Sequence, residues 1–203
     1  MVWLLCAAAA LKPGIFLYAA PERVAPPFNE SVVLLVSHGA DGSLGVIVNR
    51  PTRVPLREGV KGIGDVPLDL MLHFGGPVQP DGVAGLVRSA KRIAGTRVLP
   101  DVYFTTDLKA IRAAAGHAEA AHRLRAYAGY AGWAPGQLPD ELRRGAWVIG
   151  PADARSVFTS DPETLWPRVY ELRRAVEASL QRRTSSSSWT TRAGGRLSRN
   201  VRP

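Results

Sequence analysis

The chain has 203 residues, 46% of them hydrophobic and 21% charged, with a mean hydropathy of −0.03. Those values suit one globular domain with an appendage and exclude a membrane-embedded bundle and a wholly disordered chain. Six arginines (182, 183, 192, 196, 199 and 202) and no acid follow Gln181, so they carry +6 of the net +9 and leave about +3 for the rest. A basic nucleic-acid-binding face on the body is therefore not indicated. The single cysteine, Cys6, excludes an internal disulfide and a Cys-rich zinc site and fits a cytosolic setting.

Residues 1–10 are apolar but shorter than the roughly 20 residues that a bilayer span needs. No positive residue precedes Lys12, so the segment reads as an extension rather than a leader. Gly14 to Ala20 reads as a strand, broken by Pro21, Pro26 and Pro27. The β-branched run Ser31 to Ser37 reads as a buried strand. A turn over Gly39–Ser43 joins it to a strand over Gly45–Asn49, making a hairpin. Residues 51–67 read as a Gly- and Pro-rich loop with a short helical turn. Further strands are expected at Leu70–Phe74, Val83–Val87 and Val102–Thr105. Thr106 or Asp107 caps a helix that Gly116 stops.

Arg123–Tyr127 resumes as a strand, followed by a glycine-punctuated stretch to Trp133. Pro139–Arg144 reads as a short helix and Ala146–Ile149 as a strand. Ser160-Asp161-Pro162-Glu163 combines a capping box with a first-turn proline. Leu165, Val169, Leu172, Val176 and Leu180 then form an apolar helical stripe. Residues 182–203 have too little apolar content to repay the entropy of ordering and read as a disordered Arg/Ser-rich tail. Strands and about four helices that do not alternate regularly predict an α+β fold over residues 11–181.

No complete catalytic signature is present. The segment Gly59–Gly64 does not end in the Gly-Lys-Ser/Thr of a phosphate-binding loop. Asp41 replaces the first glycine of a serine nucleophile elbow around Ser43. His117 and His122 are five apart, which is wrong for two ligands on one helix face, and no cofactor or metal is expected.

Two groupings are singled out. His38, Asn49 and Arg50 end neighbouring strands, and the turn Gly75-Gly76 could bring amides to an anion that Arg50 would grip with its forked guanidinium. The competing reading has His38 and Asn49 satisfying turn backbone and Arg50 paired with a carboxylate such as Asp41. Tyr130, Trp133 and Gln137 form an aromatic and glycine-rich cluster, read as a packed turn or as a stacking platform.

The order Lys12-Pro13-Gly14-Ile15-Phe16-Leu17, then Phe28, Ser31-Val32-Val33-Leu34-Leu35, His38, Gly42, Gly45 and Asn49-Arg50-Pro51, resembles the AlgH/YqgE family. Gly75-Gly76-Pro77-Val78 fits its middle signature. Gly129-Tyr130-Ala131-Gly132-Trp133, Gly136-Gln137-Leu138, Glu141-Leu142 and Trp147 fit the late one. The chain departs from the pattern at Ala25-Pro26-Pro27 and at Pro139, where an acid is usual. The resemblance implies a cytosolic bacterial-type domain whose mostly antiparallel sheet is partly barrel-like. It brings no agreed catalytic residues and associates the family with regulation. The expected function is a non-enzymatic regulatory or protein-interaction domain, with an unidentified protein partner. The alternative is a ligand-binding or enzymatic domain using His38, Asn49, Arg50, Gly75 and Gly76. The arginine tail is expected to add at most weak, sequence-blind contact with nucleic acid.

Overall fold

The computed structural model describes residues 11–67, 69–172, 175 and 178. They divide into two compact units, one running to Trp166 and one beginning at Pro167. All the strands belong to the first. The second is described through helical residues 167–172, 175 and 178.

The β-branched run after Ser31 becomes β2 (Val32–Gly39), which lies between β1 (Ile15–Ala19) and β3 (Gly42–Ile47). Residues 15–19 and 32–36 are buried without alternation, the pattern of strands covered on both faces. On its far side β1 pairs with β10 (Trp147–Pro151), and all these pairings are antiparallel.

The hub of the sheet is β9 (Leu124–Trp133). One edge takes β6 (Val78–Arg88). The other takes β5 (Met71–Phe74) at residues 126–128 and β3 at residues 131–133. The β5–β9 pair is parallel. Beyond β6 lie β8 (Val102–Thr105) and then β7 (Thr96–Leu99), while β4 (Pro51–Pro55) hangs from β5.

Helices cover two separate outer faces. In α2 (Leu108–Ala115) the Asp107 carboxylate caps the start by accepting the Lys109 N–H at 2.9 Å. Ile111 and Ala115 pack with Leu56, Ile63, Leu72, Val87, Leu124 and Ala126, joined by residues of α1 (Leu56–Gly59) and α3 (Ala120–Arg123). In α4 (Gln137–Arg143) the fully buried Leu138 enters a second cluster with Leu17, Val33, Leu35, Ile47, Trp133 and Trp147. That burial contributes about 1.5–3 kcal/mol. Pro139 sits in the first turn of α4, where its missing N–H costs no helical bond.

The α+β class and the mostly antiparallel sheet stand. Two finer expectations do not. In place of about four helices, the described residues contain α1 to α4, α5 (Ala154–Val157) and a 3-10 turn at Pro162–Thr164 that runs on into helical residues from 165. The short turn expected within residues 51–67 is α1, whereas the four-residue helices α3 and α5 were unreadable because one turn carries no periodicity. Nor is the sheet closed into a barrel. Its terminal strands β10 and β7 share no ladder among the described residues, and β10 ends in Pro151, which has no N–H to donate. Val176, Leu180, the tail 182–203 and the extension 1–10 lie outside the described residues. No helix among the described residues is long and apolar enough to cross a membrane.

Candidate functional site

His38 lies opposite Ser43 at the closed end of the β2–β3 hairpin, its Nδ1 2.7 Å from the Ser43 hydroxyl. Asn49 and Arg50 follow Ile47, which pairs with Val33 at the open end. The stretch of β2 from Val33 to His38 spans about 16 Å at a strand rise of ~3.3 Å per residue, and Arg50 lies beyond it. The grouping of His38 with Asn49 and Arg50 is therefore corrected: an antiparallel hairpin sends the end of one strand and the end of the next to opposite poles.

At the open pole the polar side chains hold backbone. Asn49 is 6% exposed; its Oδ1 accepts the Val32 N–H at 2.8 Å and its Nδ2 donates to the Glu30 carbonyl at 2.9 Å. The Arg50 guanidinium donates to the carbonyl and side-chain oxygen of Asn29, not to Asp41.

Gly75 does come near Arg50, because the Phe74 N–H donates to the Arg50 carbonyl at 2.9 Å. Its own amide is not available to an anion: it donates to the Ala128 carbonyl at 2.9 Å, and the Gly75 carbonyl accepts the Ile47 N–H at 2.9 Å. Steric demand explains both glycines. A Cβ on Gly75 would fall far inside contact distance of the Gly129 carbonyl, and one on Gly76, at φ +147°, would strike the Tyr130–Ala131 peptide. Gly129, at φ +66°, meets Gly76 from the other side. The glycines let two chain segments cross at backbone contact.

The aromatic cluster is a packed assembly tied by one carboxylate. Glu141 Oε2 accepts the indole N–H of Trp133 at 2.9 Å and that of Trp147 at 2.7 Å, while Oε1 accepts from Gln137 Nε2 at 2.8 Å. Gln137 Oε1 in turn accepts the Ala134 N–H at 3.0 Å. The two indoles meet edge to face with centroids 5.9 Å apart, and Phe28 lies 6.4 and 6.1 Å from them. Tyr130, three residues before Trp133 in β9, points to the opposite face and lies across from Val78. Sequence reasoning paired the right indole with Gln137 but gave no role to Glu141. The i,i+4 spacing of Gln137 and Glu141 on one helix face was the available signal.

A third grouping was not anticipated. Arg125 and Tyr127 share one face of β9, and the parallel register sets His73 beside Tyr127, with ring centroids 5.7 Å apart. His73 is 7% exposed and Tyr127 is fully buried. Burial, reinforced by the Arg125 charge, pushes the His73 imidazole down to about 4, against the opposing contact of its Nδ1 with the Met71 carbonyl at 3.3 Å. Burial raises the Tyr127 phenol and lowers the Arg125 guanidinium. The guanidinium lies 5.9 Å from the Phe158 ring and donates to the carbonyls of Ala121, Leu124 and Thr159 at 2.5, 3.3 and 2.8 Å. Nothing in a linear reading marks these residues, since strands some fifty positions apart bring them together. Among the described residues, no three His, Cys, Asp or Glu side chains gather as a metal site.

The fold recurs in known proteins. A family model described as AlgH-like matches residues 16–175. A UPF0301 protein of Chlorobaculum tepidum is 34% identical over 160 residues, covering 78% of this chain and 84% of the relative. A UPF0301 protein of Streptomyces avermitilis is 37% identical over 174 residues, covering 79% and 86%. Among solved structures, that of the AlgH protein from Pseudomonas aeruginosa superposes with a TM-score of 0.59 at 30% identity, over 90% of this chain and 95% of that one. The crystal structure of protein DIP2367 from Corynebacterium diphtheriae does so with 0.63 at 25% identity, over 75% and 84%.

Proposed function

The chain belongs to the AlgH-like family, and from that premise we propose that it is a non-enzymatic, cytosolic regulatory domain that acts by binding a protein partner. One observation carries this reading. Candidate groups that the sequence offered for chemistry are engaged in holding the fold: Asn49 bridges two backbone groups, the Gly75 amide is bonded, and Trp133 and Gln137 are tied to Glu141, whose carboxylate accepts three N–H donors. A carboxylate so occupied is a poor general base, because protonating it would break the bonds that place it.

The alternative pocket of His38, Asn49, Arg50, Gly75 and Gly76 has no such support, since His38 lies at the far pole of the hairpin. The arginines beyond Gln181 supply a subsidiary, salt-dependent attraction to nucleic acid, which truncation after Gln181 removes.

The test is native-level capture of the tagged full-length chain, beside a variant with its exposed charges reversed. A partner retained in fixed stoichiometry by the first and lost from the second supports the proposal. Equal recovery from both, or recovery of nothing, refutes it.

A further inference from the structure

The helix that opens at the Pro162–Thr164 turn continues through residue 172, and residues 175 and 178 are helical as well. Leu165, Val169 and Leu172 follow one another at spacings of four and three, and the sequence repeats the step of four at Val176. On a helix these positions form one narrow stripe, the a and d seam of a heptad pattern. Trp166 lies off the stripe and ties the helix start to the sheet, its indole N–H donating to the Ala19 carbonyl of β1 at 2.8 Å. The stripe itself opens to water along the helix. Leu165 and Val169 are half-buried, whereas Leu172 is 61% exposed, more than Val54 or Met71, the other exposed large hydrophobic residues among those described. Ala175, on the next turn, is exposed too. An apolar seam that leaves a leucine in water has its burial still to gain.

Charge selects the occupant. With Val169 at a and Leu172 at d, the flanking g and e positions fall to Arg168 and Arg173, while the acids Glu171 and Glu177 fall at c and b, away from the seam. Arg168 is exposed and takes part in none of the ion pairs among the described residues. A second copy of this helix would set arginine against arginine in either orientation, because parallel pairing faces g with e and antiparallel pairing faces g with g and e with e. A membrane surface calls for a broader apolar face than a two-position seam. We propose that this helix docks an acidic amphipathic helix of a partner protein, whose apolar stripe covers Leu172 and whose carboxylates meet Arg168 and Arg173. The assignment rests on the interaction role proposed above and adds to it the surface used and the chemistry of the partner.

The probe is a labelled synthetic helix of about four heptads with leucine at a and d and glutamate at e and g, titrated into the full chain and followed by fluorescence anisotropy. It should bind saturably and more weakly as salt rises, and the same helix with lysine at e and g should not bind. Leu172→Gln should weaken binding at least about tenfold with an unchanged melting temperature, because the side chain it replaces is exposed. Changing Arg192, Arg196, Arg199 and Arg202 to Gln in the full chain should cost less than that. No saturable binding, equal binding of the lysine helix, an unaffected Leu172→Gln variant, or a loss seen only with the tail arginines would each overturn the assignment. So would a wild type that sediments as a dimer beside a monomeric Leu172→Gln, which would make a second copy the occupant. Tighter Leu172-dependent binding to anionic lipid vesicles than to the glutamate helix would overturn it in favour of a membrane. A partner captured equally well by the wild type and by Leu172→Gln would leave the interaction role standing and remove this surface from it.

Discussion

Acid should weaken this fold through His73. Its imidazole titrates at about 4 in the folded chain against 6.5 as a free group, so between those values the unfolded chain takes up a proton that the folded chain refuses. Stability is whole above pH 6.5, falls as the pH drops through that value, and reaches its full loss below pH 4. A depression of about 2.5 units at ~1.4 kcal/mol per unit gives a limiting loss of about 3 kcal/mol, of which about 2.5 kcal/mol should be lost by pH 4.5. Urea unfolding of the wild type and of His73→Phe at pH 7.5, 6, 5 and 4.5 isolates this contribution, because every other titrating group is common to both. The wild type should lose about 2–3 kcal/mol more than the variant across that range. Parallel stability curves, or an NMR titration of His73 with its midpoint near 6.5, would show that the ring is more hydrated than its burial indicates.

Replacing Glu141 with Ala strips the acceptor from two indole N–H groups and should cost about 2–4 kcal/mol in urea unfolding, with a shift of tryptophan emission in the folded state. Gly76→Ala forces a side chain into the Tyr130–Ala131 peptide at a positive φ. It should destabilise by about 3 kcal/mol or more, read as loss of soluble protein or of the cooperative thermal transition. Asn49→Ala leaves the Val32 N–H and the Glu30 carbonyl without their partner and should cost about 2–3 kcal/mol. Arg50→Ala, at a more exposed site, should stay within about 1 kcal/mol by the same assay.

Local chemistry was legible where one element carries its own signal. Asp107 and Gly116 bracket α2, and the unbroken apolar run after Ser31 announces a strand buried on both faces. It was not legible where tertiary contact decides. Gly129 and Gly132 looked like breaks, yet β9 runs through both, because Gly129 is required by the crossing chain rather than by a turn. The strand β7, with exposed Thr96 and Arg97, is too short to alternate. At the candidate site, Trp133 and Gln137 could be grouped by their closeness along the chain. The placement of His38 failed because polar ends on successive strands look adjacent until the hairpin register separates them. Arg125 and Tyr127 gained their meaning only from the pairing of β9 with β5, which no short-range pattern encodes.

The central position of β9 also bears on how the protein is made. Strands β3, β5 and β6 all bond to a segment that ends at Trp133, so during synthesis they leave the ribosome before the strand that joins them exists. Until then their backbone edges stay open to other chains, a state in which nascent β-rich segments pair wrongly. Translational pausing before residue 133 should therefore lower the yield of native protein, whereas a pause late enough for β9 and β10 to have cleared the ribosome should be harmless.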